Sequence, residues 1–310
     1  MDAVDSFTNQ GATATAATDS TRIGAHIALL LMTVIWAVNF SVTKIALTEL
    51  TPLAFNAFRF VLATVVMYLV LRSRGPVPLP DRGDIPAIAA LGIVGNGVYQ
   101  LFFILGVNRT GAGAASLLLA GTPLVTALLS AGLGHERIRP RVWFGVVCTL
   151  IGIVLVTGFG EATSSSPVTL EGNLLMMGAT LSWAGYTVGS RRYVDRYGPV
   201  PVTAWTLWVG TPVLFLLGVP DLFRINTGDV TLGTWLGVAY GGVLSIAIAY
   251  LIWYYGVKLL GNTRTSVYSN LTPVLALVVA WILLREVPSL AQMAGAAVIV
   301  SGVTLAQRRG

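Results

Sequence analysis

Several apolar stretches of this chain carry polar and aromatic side chains at helical spacing. Asn96, Tyr99 and Gln100 stand at i, i+3 and i+4, which places them on one face of a helix. Trp36 and Asn39 are three residues apart, as are Trp183 and Tyr186, and Tyr250 and Trp253. Tyr268 and Asn270 add a further polar pair. Amides offer donors and acceptors, and rings offer flat apolar faces with a polar tip. Such positions suit the holding of a small amphipathic molecule. Arg59 is the basic residue inside an apolar stretch, where it could pair with a carboxylate or a phosphate.

Catalysis is poorly supplied by comparison. The chain has two histidines, His26 and His135, and one cysteine, Cys148. No Asp or Glu falls in the middle of an apolar stretch, so an intramembrane enzyme would lack its nucleophile–base cluster. No metal set and no cofactor is expected from these residues. The carboxylate that proton- and sodium-coupled carriers usually keep at membrane depth is missing too.

Each candidate also has a plainer use. Trp and Tyr anchor helices at membrane interfaces, which could account for Trp36, Trp183, Tyr186 and Trp253. Asn39 is helix–helix glue or a substrate contact. Arg59 lies near enough to the outer end of its segment to snorkel to the interface. Pro123 and Pro273 each free the carbonyl four residues back, at Leu119 and Ser269. The kinks are gates, or they are static and satisfied by the Thr122 and Thr272 hydroxyls. Asn270, three before Pro273, could take up strain there.

The elements that must position these residues are membrane spans. Of 310 residues, 55% are hydrophobic and only 10% charged, with a mean hydropathy of +0.77. A soluble domain is about a quarter charged. A crossing helix needs roughly 20 apolar residues. Ten segments come close: Ala25–Thr43, Pro52–Leu71, Ile85–Val107, Ala112–Leu133, Pro140–Gly158, Leu170–Ser190, Val200–Val219, Thr231–Val257, Thr265–Leu284 and Leu290–Gln307. The expected class is an all-α, ten-helix membrane protein. Residues 1–23 read as a disordered cytosolic tail and 159–169 as a linker, with Ser164–Pro167 at its centre.

Lys and Arg concentrate in cytoplasmic loops. With the N-terminus inside, inner loops and tails hold fourteen basic residues and outer loops four: Lys44, Arg109, Arg224 and Arg285. Both termini are therefore expected in the cytoplasm. The net charge of +6 sits in these loops and is no sign of nucleic acid.

The second half repeats the first. Gly106, Gly111, Ser116, Thr122, Pro123, Glu136, Gly145 and Gly152 recur 150 residues later as Gly256, Gly261, Ser266, Thr272, Pro273, Glu286, Gly295 and Gly302. Trp36-Ala37 recurs as Trp183-Ala184 at a shift of 147. Five spans per half is an odd number, so the halves (24–158 and 170–307) form an inverted repeat, an architecture that suits alternating access. Where the first half has Asn96, Tyr99 and Gln100, the second has Ile246, Ala249 and Tyr250, followed by Trp253. Such divergence fits a substrate without two-fold symmetry. Glu136 and Glu286 are expected to cap helices or to pair with Arg137 and Arg285.

The early Trp of each half, the Thr-Pro pairs, the closing Glu residues and the glycines spaced by seven (Gly145/Gly152, Gly295/Gly302) together resemble the EamA family of the drug/metabolite transporter superfamily. The resemblance covers residues 25–307. It implies a carrier with a central cavity between the halves, exporting amino acids or other small metabolites. Exchange of phosphorylated or carboxylated anions, with Arg59 as the reader, is the alternative. The expected partners are a small-molecule substrate and the lipid bilayer of a bacterial plasma membrane; a homodimer stays open. A channel is disfavoured because no filter-like segment is visible.

Overall fold

A computed structural model describes residues 2–73, 75, 79–133, 140–158, 169–260, 265 and 268–307. Among these the chain is helical, and no strand occurs. The helices are α1 (Asp2–Ala46), α2 (Pro52–Arg72), α3 (Ile85–Gly92), α4 (Tyr99–Arg109), α5 (Ala112–Leu119), α6 (Thr122–Gly132) and α7 (Pro140–Gly158) in the first half. The second half has α8 (Leu170–Tyr197), α9 (Pro199–Leu222), α10 (Leu232–Ala239), α11 (Ala249–Leu260), α12 (Thr272–Leu284) and α13 (Leu290–Gln307). α1 begins at Asp2, within the stretch 1–23 expected from the sequence to be a tail. Most of the expected linker, and Glu136, Arg137, Arg264 and Arg308, lie outside the described residues.

Six spans are long and apolar enough to cross a bilayer: Ile23–Ala46, Pro52–Arg72, Ile85–Arg109, Ala112–Gly132, Pro199–Leu222 and Leu232–Trp253. Large apolar side chains face outward along them and along the shorter helices, among them Leu31, Leu69, Phe144, Leu216 and Trp281. In water that surface would be unsupported; in lipid it is the expected exterior. The starts are marked as sequence chemistry dictates. Thr51, Thr169 and Thr231 hydroxyls accept from the backbone N–H three residues on, and Pro52 and Pro199 open their helices, where the missing N–H costs nothing.

Two spans are not plain α-helix. Ile93–Val98, called π1 here, joins α3 to α4, and Tyr240–Ile248, π2, joins α10 to α11; both are π-helical. They stand in equivalent places of the two halves. Another span breaks between α5 and α6, where Pro123 opens the second piece.

The helix contacts repeat with the halves exchanged. α1 packs on π2, α11 and α12, while α8 packs on π1, α4 and α6. α2 meets α9, and α7 meets α13. Glycines set that last approach: a methyl group at Gly152 would lie 2.4 Å from Ile299 Cγ1, and one at Gly302 2.6 Å from Cys148 Cβ. This is the small-residue contact by which helices meet in lipid.

Candidate functional site

The exchanged packing brings rings from both halves to one place. Trp36 of α1 lies 6.4 Å from Tyr250 and 5.8 Å from Trp253, both on α11, between ring centroids. Trp183 of α8 lies 4.9 Å from Tyr99, 5.2 Å from Tyr186 and 6.0 Å from Tyr250. Tyr250 thus links the two Trp residues, and six sequence-expected positions share one aromatic cluster. Separations and tilts of this kind are favourable for aromatic pairs.

The π-helical stretches shape the cluster. A wider i→i+5 turn disturbs the carbonyl ladder, and such turns often mark functional sites. Trp36 Nε1 donates to the Ser245 carbonyl of π2 at 3.0 Å, and Tyr240 Oη of π2 donates to the Ile35 carbonyl at 2.9 Å. α1 and π2 are thereby stitched together by two ring donors. Gly95 in π1 lets Tyr186 in: a methyl group there would sit 2.3 Å from the Tyr186 ring. Tyr186 Oη in turn shares a 3.1 Å hydrogen bond with Thr206 Oγ1.

Arg59 borders this cluster and is 1% exposed. It does not snorkel. Nε donates to Asn56 Oδ1 at 2.8 Å and Nη2 to Gln100 Oε1 at 2.5 Å. Asn56 Nδ2 donates to the Gln100 carbonyl at 3.0 Å. The guanidinium carbon lies 5.1, 5.6 and 5.5 Å from the rings of Phe55, Phe60 and Phe103. Phe103 also meets Tyr99 at 6.0 Å, tying the cation to the aromatic cluster. The described ion pairs involve Lys44, Arg109 and Arg196, and none reaches Arg59.

The polar stripe of the first half does not point one way. Gln100 turns to Arg59, Tyr99 turns to Trp183, and Asn96 abuts α9, where a methyl at Gly210 would lie 2.5 Å from Asn96 Cβ. The π1 turn shifts the phase that a plain helix would give. Asn39 and Asn96 are buried, and the Oδ1 atoms of both lack a hydrogen-bond partner. Tyr268 packs against the same buried cluster (Leu29, Met32, Ile35 and Ala249) as Trp36 and Trp253; its hydroxyl meets His26 Nδ1, and Asn270 is buried.

The two Thr-Pro kinks differ. Thr122 Oγ1 donates to the Leu119 carbonyl at 2.7 Å, the carbonyl that Pro123 frees. Thr272 Oγ1 is buried without a partner beside Pro273. Glu286 lies at the N-terminus of α5, a capping position of the kind expected, with Gly113 N 3.5 Å from Oε2; its ion-pair partner is Lys44 rather than Arg285. Asn56, Ser245 and the two π-helical stretches were not anticipated. The i, i+3 spacing of Asn56 and Arg59 was the available signal, and so were the close glycines Gly95/Gly97 and Gly241/Gly242 inside apolar runs.

A cavity of about 450 Å³ lies away from these rings, lined by Glu49, Thr51, Asp221, Arg224, Asn226 and Asp229 among others. The Glu49 carboxylate there accepts from Thr231 N at 2.8 Å. That bond, with the Thr234 and Thr231 hydroxyls, holds Glu49 below the usual carboxylate range.

Comparison with known proteins gives the same frame. The sequence profile described as the EamA-like transporter family matches residues 23–158 and again 170–307. The chain is 31% identical over 276 residues to "Uncharacterized transporter YdfC" of Bacillus subtilis strain 168, covering 88% of this chain and 87% of that protein. It is 28% identical over 285 residues to a "Probable terminal-alkyne amino-acid exporter" of Streptantibioticus cattleyicolor, covering 91% and 93%. A solved crystal structure with 23% sequence identity superposes at a TM-score of 0.65 over 93% of this chain and 96% of that one.

Proposed function

This chain belongs to the EamA-like transporter family, and we propose that it exports a small metabolite by alternating access along a path between its halves. It is a multi-pass membrane transporter and not an enzyme. One observation carries the proposal. The aromatic cluster takes Trp36 and Tyr99 from the first half and Trp183, Tyr186, Tyr250 and Trp253 from the second. A site built from both repeats changes its access when they rock, because each repeat moves its own share of the wall.

Amino acids are the substrate class we favour. One relative bears the name of an amino-acid exporter, and rings with amides beside a cation suit an amphipathic zwitterion. The protein would lie in a plasma membrane with both termini cytoplasmic, supported by the loop distribution of Lys and Arg. A second reading, exchange of anionic metabolites, draws on Arg59, a buried cation without a carboxylate among the described residues.

Purified protein in liposomes loaded with labelled amino acids tests the first reading. Efflux above that of protein-free liposomes is expected. Efflux that occurs only with unlabelled anion on the far side would support exchange instead. Rates equal to protein-free liposomes for every substrate would refute both.

A further inference from the structure

We infer that Arg59 and Asn39 form a subsite for a single carboxylate with a hydrogen-bond donor beside it, and that it rejects phosphate esters. The inference rests on the transporter reading and specifies what that site would recognise.

Start with the cation. A guanidinium has five N–H donors in a planar fork. Two of the Arg59 nitrogens are engaged, Nε by Asn56 Oδ1 and Nη2 by Gln100 Oε1, and both acceptors are neutral amides. Nη1 has no acceptor among the described residues. The faces of Phe55, Phe60 and Phe103 stabilise the charge without neutralising it. A buried cation held only by dipoles is costly and suits a counter-ion supplied from outside.

Asn39 is the independent observation. It is 6% exposed, and its Oδ1 accepts from nothing. A methyl group at Gly241 would lie 3.3 Å from Arg59 Cδ and 3.8 Å from Asn39 Oδ1, so both border one glycine of π2. An orphan buried acceptor and the stem of a buried cation that border the same glycine are a complementary pair of needs. A carboxylate meets the first and an adjacent ammonium or hydroxyl the second.

Charge decides between carboxylate and phosphate. The buried charged residues described are Arg59, Asp84 and Glu286, so no second buried base is at hand. One carboxylate matches the single charge of Arg59, and an ammonium beside it is taken up by the Asn39 oxygen. A phosphate monoester dianion would leave a net negative charge among aromatic rings. Trp36 stands three residues from Asn39 and faces Tyr250, so the remainder of the ligand meets apolar walls.

The test uses the full chain, in detergent for thermal-shift binding and in liposomes for efflux. The probes are leucine, methionine, phenylalanine and tryptophan, the carboxamide of each, the deaminated acid of phenylalanine, and glucose 6-phosphate. At least one amino acid should bind about tenfold or more tightly than its carboxamide, the loss expected when a charge-assisted hydrogen bond is removed. Glucose 6-phosphate should not shift the melting curve. Asn39→Ala should erase the preference for phenylalanine over its deaminated acid while leaving the acid-over-amide preference in place. Arg59→Gln should erase the latter; the wild-type comparison needs no variant if Arg59→Gln fails to fold. Equal affinity for acid and amide, tighter binding of glucose 6-phosphate, or no binding of any acid would each overturn the inference. Binding without efflux would keep the subsite and refute the carrier reading. Equal efflux of acid and amide would do the reverse.

Discussion

Lys44, near the end of α1, lies 3.9 Å from Glu286, which follows α12, although Arg285 is the sequence neighbour of that carboxylate. The backbone explains the choice. Arg285 adopts φ 56°, a left-handed conformation uncommon for a residue other than glycine. The turn sends Glu286 back towards the start of α5, where Gly113 N lies 3.5 Å from Oε2. A methyl at Gly111 would stand 3.2 Å from the same oxygen. The carboxylate therefore occupies a helix N-terminus, where partial positive charge favours it, and Lys44 also donates to the Thr110 carbonyl. Three spans meet at this point: α1, α5 and α12.

Breaking this pair from one side should destabilise the protein, and removing it whole should not. Loss of one partner strands a charge in a half-dry setting and costs about 3 kcal/mol or more for a buried pair. Replacement of both by apolar residues is often neutral. Glu286→Gln should lower the melting temperature clearly, while Lys44→Met combined with Glu286→Leu should recover most of it. Equal melting temperatures for the single and double variants would contradict the coupling.

The glycines of the π-helical stretches should resist enlargement. Gly95→Ala puts a methyl 2.3 Å from the Tyr186 ring, and Gly242→Ala puts one 2.6 Å from the Arg59 carbonyl. Overpacking of this kind costs about 1–3 kcal/mol. Gly185→Ala, where a methyl meets nothing within 4 Å, is the control. The first two variants should melt earlier than wild type and the control should not. Gly95→Ala should also slow transport, because it displaces Tyr186 from beside Trp183.

Much of this arrangement is legible in the chain itself. Apolar length, glycine spacing and the recurrence at a shift of 150 give the helices and the two halves, since each is a local or periodic property. The glycines spaced by seven are legible, but the contact they make, Gly152 against Ile299, is seen only in the structure. Trp36, Trp183 and Tyr250 were visible as aromatic positions at helical spacing. A shared path between the halves is expected from the resemblance; which ring meets which is not legible, because it depends on α1 crossing to the other half. The π-helical turns were hidden too. A single wider turn changes which residues share a face, as the splayed Asn96, Tyr99 and Gln100 demonstrate, yet leaves only extra glycines as a trace. Lys44 and Glu286 escaped because their meeting is fixed by one left-handed residue far along the chain.

Glu49 gives a pH dependence whose sign follows from its partners. Thr231 N and the Thr231 hydroxyl donate to the carboxylate, and the folded-state pKa lies below the ordinary 4.5. A depressed carboxylate contributes stability above its unfolded value and loses it as pH falls through the lower, folded one. The melting temperature of Glu49→Gln should therefore lie below that of wild type at pH 7, and the gap should close as pH drops below about 4. A gap that is constant from pH 7 to pH 3 would show that the carboxylate charge is not what matters. The carboxylate is exposed, so the effect should be small and should weaken in high salt.

The two tryptophans of the repeat should separate on substitution by phenylalanine. Trp36 donates its indole N–H to the Ser245 carbonyl of π2; Trp183 makes its described contacts through its ring, to Tyr99, Tyr186 and Tyr250. Trp36→Phe leaves a part-buried carbonyl without its donor, at a cost of about 1–3 kcal/mol. Trp183→Phe keeps an aromatic face and should cost less. Both remove area from the shared cluster, so both should weaken substrate binding in the same thermal-shift assay. The discriminating measurement is stability without substrate: Trp36→Phe should melt well below Trp183→Phe. If the two variants melt together while only Trp183→Phe loses binding, Trp36 is a packing residue whose indole N–H is incidental, and the first half's share of the wall is Tyr99 beside Trp183.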